Sequence, residues 1–222
     1  MNPTGLAITR LDSSSADFDD AFARLLHWDT GDDSAVDQRV AEILAAVRQR
    51  GLAAVLEYTR RFDALDTTDL RIPPGELAAA WDGLDDTTRK ALEDAHARIV
   101  AYHRHQIEQS WSFTDAHGNE LGQKITALDR VGVYVPGGQA SYPSSVLMTI
   151  APARVAGVGE VIVTVPTPGG ERNPAVLAAL HLARADRVFS VGGAQAIGAL
   201  AYGAGEIPRV DKIVGPGNAY VA

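Results

Sequence analysis

Three glycine-bearing runs hold the residues whose types and spacing could do chemistry. The first, Tyr134-Val135-Pro136-Gly137-Gly138-Gln139-Ala140-Ser141-Tyr142-Pro143-Ser144-Ser145, leaves a Val-rich run and enters a helical pattern with serines at the capping position. The second is Gly192-Gly193-Ala194-Gln195 and the third Gly215-Pro216-Gly217-Asn218. Glycine lets the backbone turn with positive φ or approach a ligand closely, and the free N–H groups at a helix start favour anions, so each run could cradle a phosphate-bearing ligand. None has the G-x-G-x-x-G spacing of the dinucleotide fingerprint. Gly157-Val158-Gly159 begins like it but precedes a strand pattern, where a helix C-cap is the better explanation. A tight turn accounts for each run taken singly, and for the three together a nucleotide-sized ligand and simple turns stand as open alternatives.

Other reactive groups are sparse. The chain has no Cys, which excludes disulfides, thiolate metal sites and a Cys nucleophile, and fits a reducing compartment. Of the six histidines, only His181 falls in the second half, inside a helical run. His103 and His105 are two apart on a helix and project to different sides, whereas i and i+4 spacing would let two imidazoles reach one metal, so they read as a solvated face. His117, beside Gly118-Asn119, reads as a turn residue, and His27, beside Trp28, as packing within an N-terminal arm. Tyr134 could equally be a strand-end residue capping the core, and Gln195 a polar residue in the first turn of a helix.

The elements that must position the three loops are legible from periodicity. Strands are expected at Arg130 to Val135, Glu160 to Val165, Arg187 to Val191 and Asp211 to Val214, with helices near Ser145 to Ala156, Pro174 to Ala183 and Ala194 to Tyr202. Short Val/Ile-rich runs, each followed by a helix, imply parallel strands with right-handed crossovers. This is an α/β, Rossmann-like doubly wound parallel sheet, and ligands bind such sheets outside the carboxyl ends of the strands. It is incomplete, because the chain stops at Ala222 where a further crossover helix should begin, which suggests a fragment.

A mainly helical region with a hairpin comes first. A helix starts near Ser34, with Val36, Val40, Ile43, Leu44 and Val47 on one face, and Gly51 breaks or ends it. Leu52 to Arg61 follows, then an extended piece from Thr67 to Ile72. Pro73-Pro74 opens a short helix, and a long one has Thr87 or Thr88 near its start. Trp111 to Asp115 and Glu120 to Leu128 form a hairpin through His117-Gly118-Asn119. Residues 1–30 form an arm with Trp28 as a docking anchor, 31–128 the mainly helical part, and 129–222 the Rossmann-like domain.

Charge and composition restrict the partners. The chain has 222 residues, 46% of them apolar, and a formal net charge of −8, so no global field draws a polyanion and nucleic acid is not expected. Residues 131–222 hold 14 of the 21 glycines and carry a net charge of +1, which leaves −9 on the first 130, so function should sit in the second half. No apolar run is long enough to span a bilayer and no signal core opens the chain, so a cytoplasmic protein is expected.

The motifs themselves resemble one family. Arg130-Val131-Gly132-Val133-Tyr134-Val135-Pro136-Gly137-Gly138, Tyr142-Pro143-Ser144-Ser145-Val146-Leu147-Met148, the run from Gly192 to Gly203 and Gly215-Pro216-Gly217-Asn218 resemble histidinol dehydrogenase in sequence, order and separation. Arg60-Arg61-Phe62-Asp63 after Tyr58 and Leu121-Gly122-Gln123-Lys124 are also similar to it. The resemblance runs from about Ser34 to the end. It implies a cytoplasmic, zinc-dependent homodimer that oxidises L-histidinol through L-histidinal to L-histidine, reducing two NAD in turn. It also implies NAD contacts at Tyr134, Gln195 and Asn218.

The family's zinc ligands, Glu-His acid/base pair and substrate contacts lie beyond the point where this chain stops, so none maps onto it. Catalytic and metal-ligating residues are accordingly expected outside these 222 residues. A non-catalytic nucleotide-binding or subunit-interaction module is the alternative reading.

Overall fold

The computed structural model describes residues 9–26, 34–137 and 142–222. The expected roles of His27 and Trp28, and the part of the first glycine run from Gly138 to Ser141, lie outside them. The chain divides into two compact units, Met1–Ala35 and Val36–Ala222. In the first, α1 (Phe18–Leu26) forms within the stretch expected to be an arm. Phe18 and Phe22, four residues apart, stack at 5.5 Å along one side of it, the spacing that brings side chains together on a helix.

The second unit begins within α2 (Ser34–Arg50) and contains α3 (Leu52–Asp63), β1 (Arg71–Ile72), α4 (Pro74–Asp82), α5 (Asp86–Arg104) and the hairpin β2 (Trp111–Thr114) and β3 (Glu120–Gln123). Then follow β4 (Arg130–Tyr134), α6 (Pro143–Val155), β5 (Glu160–Val165), α7 (Pro174–Leu182), β6 (Arg187–Ser190), α8 (Gly193–Tyr202) and β7 (Lys212–Val214). The main sheet runs β1-β6-β5-β4-β7. β6, β5, β4 and β7 are parallel, and β1 adds an antiparallel edge through Arg71↔Phe189 and Ile72↔Val188.

Side chains alternate between two cores, as the pleat requires. Val131, Val133, Val161, Val163 and Val188 face a cluster completed by α4 to α7, with Leu77, Leu147, Ile150 and Leu180 among its members. Tyr134, Ile162 and Phe189 face the other, built with Ile43, Val47, Val55 and Leu200 from α2, α3 and α8. Helices on both faces make this a doubly wound α/β sheet. At its amino edge Glu160 joins two strands to its own, taking Arg130 Nε at 2.5 Å and Arg187 Nη2 at 2.8 Å.

Chain order sets a functional landmark. From β4 the chain moves outward to β5 and β6, then returns through α8 to β7 on the opposite side of β4. The direction of winding therefore reverses at β4, which opens a crevice at the carboxyl ends of β4 and β7, the usual ligand position in this fold class.

Several local details differ from the sequence expectation. Pro143 opens α6 with Tyr142 at the N-cap, so Ser144 and Ser145 lie inside the first turn and do not cap it. Asp85 caps α5, its carboxylate accepting from the Thr88 N–H at 2.9 Å. β3 ends at Gln123, well short of Leu128. The hairpin forms its own two-stranded sheet, with Asp115 Oδ1 accepting from the His117 and Asn119 N–H groups in the turn. Gly157, at φ 79°, closes α6 as expected: the Val158 N–H reaches the Ala153 carbonyl and the Gly157 N–H the Arg154 carbonyl.

Candidate functional site

Four strand ends meet at close range. Pro166 follows β5 and its ring lies between two glycines, so that a Cβ on Gly137 would run into the ring and one on Gly192 would come within 2.5 Å of the Pro166 Cβ. A Cβ on Gly215 would strike the Tyr134 carbonyl. Glycine is needed at these positions for approach of backbone to backbone and backbone to ring. The result is a cleft of about 720 Å³, floored by the ends of β4, β5 and β6 and walled by α2 and α3. Its size suits a nucleotide-scale ligand.

Tyr134, Gln195 and Asn218 all line this one cleft. Tyr134 is 6% exposed, and its hydroxyl accepts a hydrogen bond from the Gly193 N–H, the first of α8, at 3.2 Å. Burial holds its phenol above the ordinary value; the Gly193 N–H opposes this and the nearby Asp63 carboxylate adds to it. The hydroxyl proton therefore stays on and remains a donor at neutral pH.

Gln195 is 1% exposed, and neither its Oε1 nor its Nε2 has a hydrogen-bond partner. The amide oxygen folds back toward Gly193, where a Cβ would lie 2.8 Å from it, and the φ of 61° at Gly193 is what calls for glycine there. A buried carboxamide without partners costs about 1–3 kcal/mol, a cost that a ligand with one donor and one acceptor at that point would remove. Asn218 has a local task as well. Its Oδ1 accepts from the Tyr220 N–H at 3.0 Å and its carbonyl from the Val221 N–H at 2.8 Å, so it closes a hydrogen-bonded turn.

The other wall was not anticipated. Arg39 and Glu42 of α2 and Tyr58, Arg61, Phe62 and Asp63 of α3 complete the cleft. Tyr58 and Phe62 stack at 5.7 Å with rings 10° apart, and the Arg61 guanidinium lies 5.4 Å from the Phe62 ring centre. Such a surface can take a flat heteroaromatic ring. Asp63 is half-buried, with its Oδ2 enclosed and unpartnered; burial raises its pKa, against the opposing Gly192 N–H. The i, i+4 spacing of Tyr58 and Phe62 was the available signal, since it puts both rings on one side of α3.

Metal chemistry finds no support in this stretch. Among the described residues no group of three or more His, Cys, Asp or Glu could hold a metal ion, so the residues present do not fit the zinc that the family resemblance implies. The described histidines lie elsewhere: His96 and His103 on α5, His105 at its C-cap, His117 in the hairpin turn, and His181 on α7 stacked against Trp81 at 6.2 Å. No described helix is long and apolar enough to cross a membrane.

Known proteins share this chain's sequence and fold. The histidinol dehydrogenase family model matches residues 27–222. Histidinol dehydrogenase of Cupriavidus pinatubonensis is 57% identical over the whole of this chain and 52% of its own length, and that of Bordetella parapertussis is 58% identical over 97% of this chain and 50% of its own. The crystal structure of histidinol dehydrogenase from Elizabethkingia anophelis superposes with a TM-score of 0.79 at 32% identity, covering 84% of this chain and 43% of that one. The chain spans about half the length of the curated relatives it matches. With the family model covering most of its length and relatives this close in sequence, the chain belongs to the histidinol dehydrogenase family.

Proposed function

We propose that this chain supplies the NAD-binding part of a histidinol dehydrogenase, with Tyr134, Gln195 and Asn218 as its contacts to the cofactor. Residues 129–222 form the cofactor domain in this reading, residues 31–128 the mainly helical part that walls it, and residues 1–30 an arm. The observation that carries the reading is the buried Gln195 carboxamide without partners, at the N-terminus of α8 in a nucleotide-sized cleft.

NAD, when bound, supplies the hydride acceptor for oxidation of L-histidinol through L-histidinal to L-histidine. The chain's own residues bind and orient. The start of α8 favours the negatively charged pyrophosphate, the Tyr134 hydroxyl retains a proton to donate, and Gln195 offers a donor and an acceptor from a rigid position. The Tyr58–Phe62 pair gives the adenine a stacking surface. Pro166 and the glycines packed on it keep water from the floor of the cleft. L-histidinol as substrate, a homodimeric assembly and a cytoplasmic location complete the proposal.

Titration calorimetry of the 222-residue chain with NAD tests it. Saturable one-to-one binding is expected, weakened about tenfold or more in Gln195→Ala, which loses hydrogen bonds to the ligand. Absence of binding by a folded chain would overturn the reading.

A further inference from the structure

In doubly wound dinucleotide folds the adenosine ribose is held by an acidic side chain some twenty residues beyond the first glycine loop, near the end of the second strand. Here the corresponding strand, β5, ends in Val165 and is followed by Pro166 and Thr167, neither of which is acidic. The cleft nevertheless contains a buried carboxylate oxygen without a partner. It belongs to Asp63, the last residue of α3, and it reaches the cleft from the helical wall and not from the sheet.

We propose that Asp63 is the ribose acceptor of this cleft: its Oδ2 takes the 2′-hydroxyl of the adenosine ribose and excludes a 2′-phosphate at the same point. The inference rests on the reading of the cleft as an NAD site.

Three features support it. An enclosed carboxylate oxygen is an acceptor only, so the group that satisfies it must bring an O–H or N–H, which a sugar hydroxyl does and a phosphate dianion does not. The Gly192 N–H favours the charged form of the same carboxylate, which places Asp63 near the loop that carries Gln195 and the helix start where a pyrophosphate would lie. The stacked rings of Tyr58 and Phe62 precede it on the same helix, so a base seated there has its sugar beside Asp63. Arg39 and Arg61 also line the cleft and could attract a phosphate, but both are solvent-exposed, so their field is the more heavily screened.

Fluorescence titrations with NADH and NADPH on wild type, Asp63→Asn and Asp63→Ala test the assignment. Wild type is expected to prefer NADH by at least 100-fold. Asp63→Asn should lose about 10-fold in NADH affinity while gaining in NADPH affinity, so that the preference narrows. The 2′-deoxyadenosine analogue of NADH, which needs no variant, should bind wild type about 10-fold more weakly than NADH. Unchanged NADH affinity in both variants, an equal loss for both nucleotides, or full affinity for the deoxy analogue would overturn the role of Asp63 and leave the NAD site standing. Failure of wild type to bind NADH at all would instead overturn the reading of the cleft.

Discussion

Replacing Gln195 with methionine should make the free protein more stable and its cofactor complex weaker. Methionine matches glutamine in length and lack of branching, so the packing of a side chain 1% exposed is preserved while two buried polar atoms without partners disappear. An unmade buried hydrogen bond costs about 1–3 kcal/mol, which at roughly 2–4 °C per kcal/mol for a domain of this size predicts a rise in Tm of about 2–12 °C. Added NAD should act in the opposite sense. At a hundredfold excess over the wild-type Kd it stabilises the wild type by about 2.7 kcal/mol and a variant that binds tenfold more weakly by only about 1.4 kcal/mol, so the gap narrows or reverses. Thermal scans of both proteins with and without NAD read all four numbers. A ligand-free variant that melts at or below the wild type would refute the reasoning, because the Gln195 amide would then be serving the fold and not a ligand.

Other perturbations probe neighbouring features. Gly192→Ala keeps an allowed backbone, φ −126°, but drives a Cβ into the rigid Pro166 ring; denaturant unfolding should show a loss of about 1–3 kcal/mol, whereas Gly75→Ala, with nothing within 4 Å, should be neutral or slightly stabilising. Asp63 binds its proton more tightly in the folded chain than in the unfolded one. Its contribution therefore favours folding at low pH and turns into a cost as pH rises from the ordinary carboxylate value through the raised folded one. Asp63→Asn should accordingly raise Tm at pH 7, with the difference from wild type vanishing toward pH 3; a Tm difference independent of pH would contradict this. With L-histidinol and NAD the 222-residue chain is expected to form no NADH at 340 nm, since no histidine that could act as base is among the described residues lining its cleft; appreciable turnover would contradict it.

The sheet was legible because β4, β5 and β6 are covered on both faces and so read as near-continuous Val/Ile runs, each ending in glycine or proline. β1 was legible only as part of an extended piece, since its antiparallel pairing with β6 lies more than 100 residues away in sequence and nothing local marks it. α1 escaped notice because its polar flanks obscured a short amphipathic repeat. The site divides in the same manner. Tyr134, Gln195 and Asn218 follow strands in one edge of one sheet, so topology alone brings them together. Asp63 and the Tyr58–Phe62 pair lie more than 70 residues before Tyr134, on a helix whose place depends on Val55 and Ala54 packing against the sheet. Long-range packing of that kind leaves no periodic signature at the functional residues themselves.

The central claim is that one cleft at the reversal point of the sheet receives NAD. Amide NMR spectra of the labelled chain, recorded while NAD is added, test it most directly. Saturable shifts are expected at Gly192, Gly193, Ala194 and Gln195, with the Gln195 side-chain amide moving at the same ligand concentration. Shifts confined to residues remote from the cleft, such as the Trp111–Gln123 hairpin, or no shifts at millimolar NAD, would contradict it.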